Sequence, residues 1–264
     1  MSVSDATILD ELVAFAQDET GQWLLPFRGL VSARQYRHLY RKMRSLAAPG
    51  ARVLDWGVAT GHFSYFLMRA GYDAVGYSLE DLTFVPLRRE PAYRFVRGSV
   101  RQPVALPFRA ASFDVVVSVG VLEHVRETGG DEVASLREIH RVLRPGGAFI
   151  AYHLPQSTSW VELVARATPG KHAHRFRYDR RAIAEMIAAA GLRLEDVGRY
   201  AFLPRNVWGR APRTIRNSRL VATAWDGLDA ILGRVLAPSC TYYWAVARRA
   251  GGGEDDPPPG GGGR

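Results

Sequence analysis

The chain reads as an α/β protein built on a mostly parallel sheet, and two observations predict it. From residue 52 onward, short apolar β-runs alternate with amphipathic helical segments, strand then helix. The first run, Ala51-Arg-Val-Leu54, enters a small-residue turn, Asp55-Trp-Gly57-Val-Ala59-Thr-Gly61, and the helical stretch His62 to Met68 follows. Such a turn needs small residues because the chain must reverse sharply and bring backbone close to a ligand. The helix behind it aims unpaired N–H groups at whatever fills the turn.

The elements follow in order. Ser4 can cap a helix running to about residue 17, and Tyr36, Tyr40, Met43 and Leu46 share one face of a second over residues 32–46. Pro49-Gly50 ends that helix. Strands are expected at 52–55, 72–77 and 93–97, with a helix at 61–70 closed by Gly71 and a weakly patterned one at 81–89. Phe113-Asp-Val-Val-Val-Ser-Val119 reads as a buried central strand. Val133, Leu136, Ile139, Val142 and Leu143 mark a helix over 131–143, which Pro145-Gly146-Gly147 should stop before a strand at 148–153. Asp179 caps a helix to residue 190, Gly191 ends it, and strands at 193–202 and 241–248 complete the pattern. Between the last two lies an insertion, 204–238, whose first half carries Arg205, Arg210, Arg213, Arg216 and Arg219 and whose second half is apolar and helical. The expected organisation is a helical cap (1–48), a main domain (49–250) containing that cap insertion, and a disordered Gly/Pro tail (251–264).

Composition bounds the function. At 264 residues and 47% hydrophobic, the chain can build a normal core, which excludes global disorder. The formal net charge is +9, and only Lys42 and Lys171 are lysines. The arginines are scattered, so codon usage explains them more plainly than a nucleic-acid surface does, and nucleic acid is disfavoured as a partner. The Arg-rich insertion is the segment that could meet a membrane surface. Cys240 is the single cysteine, which excludes an intrachain disulfide and suits a reducing cytoplasm. The N-terminus lacks the basic and apolar regions of a signal peptide, and no stretch approaches the roughly 18 apolar residues of a membrane span. A soluble, cytoplasmic protein is expected.

The acid at the head of the turn decides between ligands. Asp55 would repel a pyrophosphate but attract a cation such as an α-ammonium group, and the Gly-x-Gly-x-x-Gly order of nicotinamide-binding turns is absent. Both features point toward S-adenosylmethionine.

Five motifs then resemble, in order and spacing, the class I S-adenosylmethionine-dependent methyltransferases of the broad bacterial small-molecule type. Val53-Leu-Asp-Trp-Gly-Val-Ala-Thr-Gly61 resembles the family's first motif, with Ala59 at its middle glycine. Leu106-Pro-Phe, then Ser112-Phe-Asp-Val-Val-Val-Ser118, Val121-Leu-Glu-His-Val125 and Arg141-Val-Leu-Arg-Pro-Gly-Gly147 are similar to the later signatures. The resemblance covers about residues 53–191. It implies a Rossmann-like, seven-stranded, mostly parallel sheet with helices on both faces and an antiparallel last strand, and S-adenosyl-L-methionine as cofactor. It places Asp55, Gly57, Ala59, Gly61, Tyr77, Ser78, Ser99, Val100 and Val119 around that cofactor. Ser78 and Ser99 stand where the family usually has acids, so neutral hydrogen bonds worth about 0.5–1.5 kcal/mol replace charged ones worth about 1.5–3. A catalytically degenerate binding or regulatory module is the alternative that this departure raises.

Three further groups are candidates for chemistry. His124, beside Glu123, and His153, at the end of the fifth strand, lie on the rim where ligands bind in such sheets, and either can act as a general base. In similar quinone-type O-methyltransferases the Glu-His pair lies by the transferring methyl and sometimes near a metal. His172 and His174 have ligand-like spacing, but no Cys or acid cluster completes a zinc shell; the resemblance implies that this segment packs over the pocket, so substrate proximity is expected and no metal. Trp23, Phe27, Tyr36 and Tyr40 could form a lid, and Asp114 reads as structural. The acceptor expected is a small molecule, lipid or glycan precursor, methylated on oxygen.

Overall fold

The computed structural model describes residues 3–18 and 24–251; Trp23 and residues 252–264 of the expected tail lie outside them. Seven strands, β1 (Arg52–Trp56), β2 (Asp73–Ser78), β3 (Arg94–Arg97), β4 (Phe113–Val119), β5 (Leu143–Pro155), β6 (Arg193–Tyr200) and β7 (Tyr242–Arg248), form one sheet. Their order is β3-β2-β1-β4-β5-β7-β6. The first five pair in parallel, and β7 runs antiparallel to both β5 and β6. The expected topology is therefore the observed one.

Each central strand feeds two cores through its two-residue alternation. Val115 and Val117 of β4, with Ile150 and Tyr152 of β5, join one core; Val116, Phe149 and Ala151 join the other. The first core is covered by α1 (Asp5–Phe15), α3 (Arg37–Leu46) and α4 (His62–Arg69), and the second by α6 (Glu132–Val142) and α8 (Arg180–Ala189). Shorter turns are α2 (Leu30–Ala33), α5 (Val85–Arg88) and α9 (Arg213–Arg216), while α7 (Trp160–Ala167) and α10 (Arg219–Val235) belong to the peripheral segments. Ser4, Asp131 and Asp179 cap α1, α6 and α8 by accepting a backbone N–H three residues on. Ile8, Leu12, Tyr40 and Met43 are fully buried in the first core. The N-terminal helices thus cover a sheet face as well as approaching its rim.

Two local expectations need correction. The helix expected over 32–46 is interrupted by a tighter turn, Arg34–Tyr36, which redirects the chain between α2 and α3. Pro145-Gly146-Gly147 does not stop α6. The chain leaves that helix extended at Leu143 (ψ 143°), and the triplet lies inside a β5 that begins there. The Arg249 guanidinium takes over the stop, donating to the His140, Arg141 and Leu143 carbonyls.

Asp114 joins three strands: it accepts the Arg52 N–H of β1 at 2.8 Å and pairs with Arg144 of β5. Asp114→Ala strands that N–H, at a cost of about 1–3 kcal/mol. Thermal melting followed by circular dichroism should show a fall of about 2–4 °C per kcal/mol lost, with an unchanged spectrum at low temperature. An unchanged midpoint would mean the link is idle.

Candidate active site

The turn after β1 is folded hard against its neighbours. The N–H groups of Gly57 and Val58 both donate to the Tyr77 carbonyl, at 2.8 and 3.1 Å, tying the turn to the end of β2. Gly57 has φ +84°, and a Cβ there would lie 2.3 Å from the Val121 side chain that follows β4. Gly61, at φ +90°, caps α4, and a Cβ there would meet Leu87 at 2.4 Å. Ala59 takes φ +46° despite its Cβ. Conformation and crowding together explain the small residues.

Asp55 lies beneath this turn. Its carboxylate is 2% exposed and accepts a hydrogen bond from Ser64 of α4 at 2.7 Å. Burial pushes its pKa up to about 7, against the opposing pull of Ser64. The sequence expectation put this carboxylate at the cofactor; in the structure it is buried against Ser64 of α4 and is not part of the lining of the cleft at the strand ends.

The ends of β1, β2 and β4 surround a cleft of about 580 Å³. Of the expected cofactor residues, Gly57, Ala59, Tyr77, Ser78 and Val100 line it, while Asp55, Gly61, Ser99 and Val119 are not in its lining. Ser99 is exposed, and its hydroxyl accepts the Arg101 N–H at 3.3 Å. Glu80 lines the cleft beside Ser78, so an acid does stand near the end of β2, two positions later than the motif leads one to look. Asp81 turns away to accept from the Thr83 N–H and hydroxyl. Leu79, Leu82, Val100 and Pro103 give the cleft apolar walls.

The two expected bases part company. His124 lines the cleft, and its Nδ1 is 2.8 Å from Glu127 Oε2. His153 packs instead among Tyr36, Tyr152, Tyr200 and Tyr242, with its Nδ1 2.8 Å from the Tyr200 hydroxyl and φ at +64°. Burial, then the nearby His62 and His174, lowers its pKa to about 3. It is neutral at physiological pH and a poor proton acceptor. Phe27 and Tyr36 are buried, stacked 5.2 Å apart, and Tyr40 stacks on Phe66 at 3.8 Å, so Tyr40 is core and not lid.

Distant segments supply the acids that the Lys171-His-Ala-His174 spacing lacks. Glu162 of α7 accepts the His174 N–H at 2.9 Å and meets its Nδ1 at 2.7 Å. Burial depresses the His174 pKa, but Glu162, with Glu123 and Glu127, outweighs it and the net shift is upward. Glu123 is 2% exposed; burial pushes its pKa up to about 7, and its Oε2 has no hydrogen-bond partner among the described residues. Ligand atoms of Glu123, His124 and His174 lie within 4.8 Å of one another, so these three side chains could share a cation where the sequence predicted none. The Glu123–His124 pair was visible in the sequence, but no short-range signal joins it to His174, which a separate segment about fifty residues later brings in.

Comparisons with known proteins meet this geometry. A family model described as a methyltransferase domain matches residues 54–151. The ubiquinone biosynthesis O-methyltransferase of Azorhizobium caulinodans is 31% identical over 203 residues, covering 72% of this chain and 78% of that protein. The chain belongs to the class I S-adenosylmethionine-dependent methyltransferases. The cofactor of this methyltransferase family is S-adenosyl-L-methionine. A "probable S-adenosylmethionine-dependent methyltransferase" of Mycolicibacterium smegmatis is 27% identical over 164 residues; the match covers 62% of this chain and 60% of that protein's length. The [4+2]-cyclase SpnF shares the fold at TM-score 0.54 and 19% identity, over 84% of this chain and 83% of its own.

The raised pKa of Asp55 sets a pH dependence. In the unfolded methyltransferase an Asp ionises near about 3.9, so the unfolded chain loses its proton first and stability falls as pH rises from there to about 7. Asp55→Asn removes this slope yet can still accept from Ser64. The variant's melting temperature should exceed the wild type's by a margin that widens between those pH values and then levels off. A margin constant with pH would contradict the buried, proton-holding carboxylate.

Proposed function

We propose that this methyltransferase moves the methyl group of S-adenosylmethionine to an oxygen of a small-molecule, lipid or glycan-precursor acceptor. The observation that carries the reading is that one cleft joins the glycine turn, Ser78 with Glu80, and the His124–Glu127 pair. The residues suit the cofactor by chemistry. Ser78 and Glu80 offer a hydroxyl and a carboxylate to ribose hydroxyls, and charged acceptors hold more tightly than neutral ones. Leu79, Val100 and Pro103 offer apolar faces to a base, and the crowded turn offers backbone to the amino-acid end.

Bound there, S-adenosylmethionine would supply an electrophilic methyl carbon, with the neutral thioether as the leaving group when the acceptor oxygen attacks. The chain's own work is alignment, which is worth up to about 7–11 kcal/mol, and removal of the acceptor proton. His124 takes that proton, with Glu127 orienting the ring and stabilising the imidazolium. Glu162, with Glu123 and Glu127, favours the charged form of His174 near the same rim. The ubiquinone O-methyltransferase relative supports oxygen as the target.

Isothermal titration should show binding of S-adenosylmethionine and S-adenosylhomocysteine to the wild type. Gly57→Val, which drives side-chain atoms into Val121, should bind neither; no heat from the wild type would sink the reading. With phenolic acceptors and tritiated methyl donor, His124→Gln should lower kcat by about 10²–10⁴-fold, while S-adenosylhomocysteine affinity stays close to wild type. Loss of affinity without loss of kcat would assign His124 to binding instead.

A further inference from the structure

Helix α10 turns both of its acids inward and shows a row of apolar side chains outward, unlike an ordinary surface helix. Asp226 faces the protein and pairs with Arg34, Arg37 and Arg205 at 3.1, 3.3 and 2.6 Å. Asp229 pairs with Arg205 at 3.1 Å and accepts the Leu203 N–H at 2.7 Å. The opposite face shows Leu220, Leu228, Ile231 and Val235, which are 80%, 46%, 60% and 73% exposed. Their spacing puts them on one stripe along the 17-residue helix, with exposed Ala224 and Gly227 between them. A contiguous exposed apolar face of this kind marks an interaction surface.

The charge around the stripe selects the partner. The insertion 204–238 holds six arginines and two acids, and both acids are turned inward. On the helix itself Arg234 has no acidic partner among the described residues, and Arg219, paired with Asp10, is 79% exposed. Arg210, in the turn Asn206–Arg210 of the same insertion, is likewise exposed and without an acidic partner among them. A second copy of the chain would set this cationic rim against itself. An anionic phospholipid surface would accept the apolar stripe at the headgroup boundary and the guanidinium groups at its phosphates. No helix among the described residues is long and apolar enough to cross a membrane, so α10 would lie in the surface plane.

We propose that the outward face of α10 docks this protein on an anionic phospholipid surface. The docking face is independent of the methyl-transfer reading. The sequence drew attention to the arginines of this insertion. The structure shows Arg205 consumed in internal ion pairs and gives the leading part to the leucine, isoleucine and valine of the helix.

Co-sedimentation with phosphatidylcholine vesicles, with and without phosphatidylglycerol, tests the proposal. The wild type should pellet with the anionic vesicles only, and less at high salt. The Leu228→Ser, Ile231→Ser, Val235→Ser variant should stay in the supernatant while keeping its circular dichroism spectrum. Arg210→Ser and Arg234→Ser should each weaken vesicle binding about fivefold. A wild type that ignores anionic vesicles, or a serine variant that still pellets, overturns it. So does a wild-type dimer in sedimentation velocity that the serine variant dissolves, since the face would then belong to a second copy. Vesicle binding that persists where S-adenosylhomocysteine gives no heat would refute the enzymatic reading and leave the docking face standing.

Discussion

The close approach of chain at Gly57 is the constraint on which the site depends. At this position the turn after β1 gives two N–H groups to the last carbonyl register of β2 and presses on Val121 after β4. Three strand ends are thereby held at fixed separation, and the cleft is the space they leave. A side chain at that position would push β4's following loop outward and carry His124 with it. The Asp55–Ser64 hydrogen bond acts in the same sense from below, locking α4 to β1 at the price of a buried carboxylate. Such a carboxylate is costly while ionised, and its raised pKa is the measure of that cost.

Placement and electrostatics separate the histidines. His124 is partly exposed in the cleft and has a carboxylate partner, Glu127, within it. His153 was an equal candidate by position, because the sequence put both on the same rim, His124 just after the fourth strand and His153 at the end of the fifth. A bulge in β5 between Ala151 and Leu154 turns it at positive φ into a box of tyrosines, where burial removes its charge. Rim position therefore selects candidates for catalysis, and the surrounding dielectric decides among them.

The insertion between β6 and β7 shows a division within one segment. Arg205, 8% exposed, is neutralised by Asp226 and Asp229, and this internal network fastens α10 to the N-terminal helices. With its polar face spent on that attachment, the helix presents its apolar face to the outside. Attachment and exposure are two consequences of one ion-pair network.

The sequence by itself determined the sheet, the order of its elements and the identity of the turn, because two-residue and 3.6-residue apolar periods and positive-φ glycines are local signals. Phe113–Val119 was legible residue for residue, as was the capping of α1 and α8 by Ser4 and Asp179. Only the tertiary structure decided which of those residues face the cleft. It buried Asp55 against α4, set Glu80 beside Ser78 in the lining while leaving Ser99 out of it, and brought the Glu123–His124 pair together with His174 and Glu162 from a distant segment. Burial and long-range side-chain pairing depend on how elements pack, and no window of neighbouring residues carries that information.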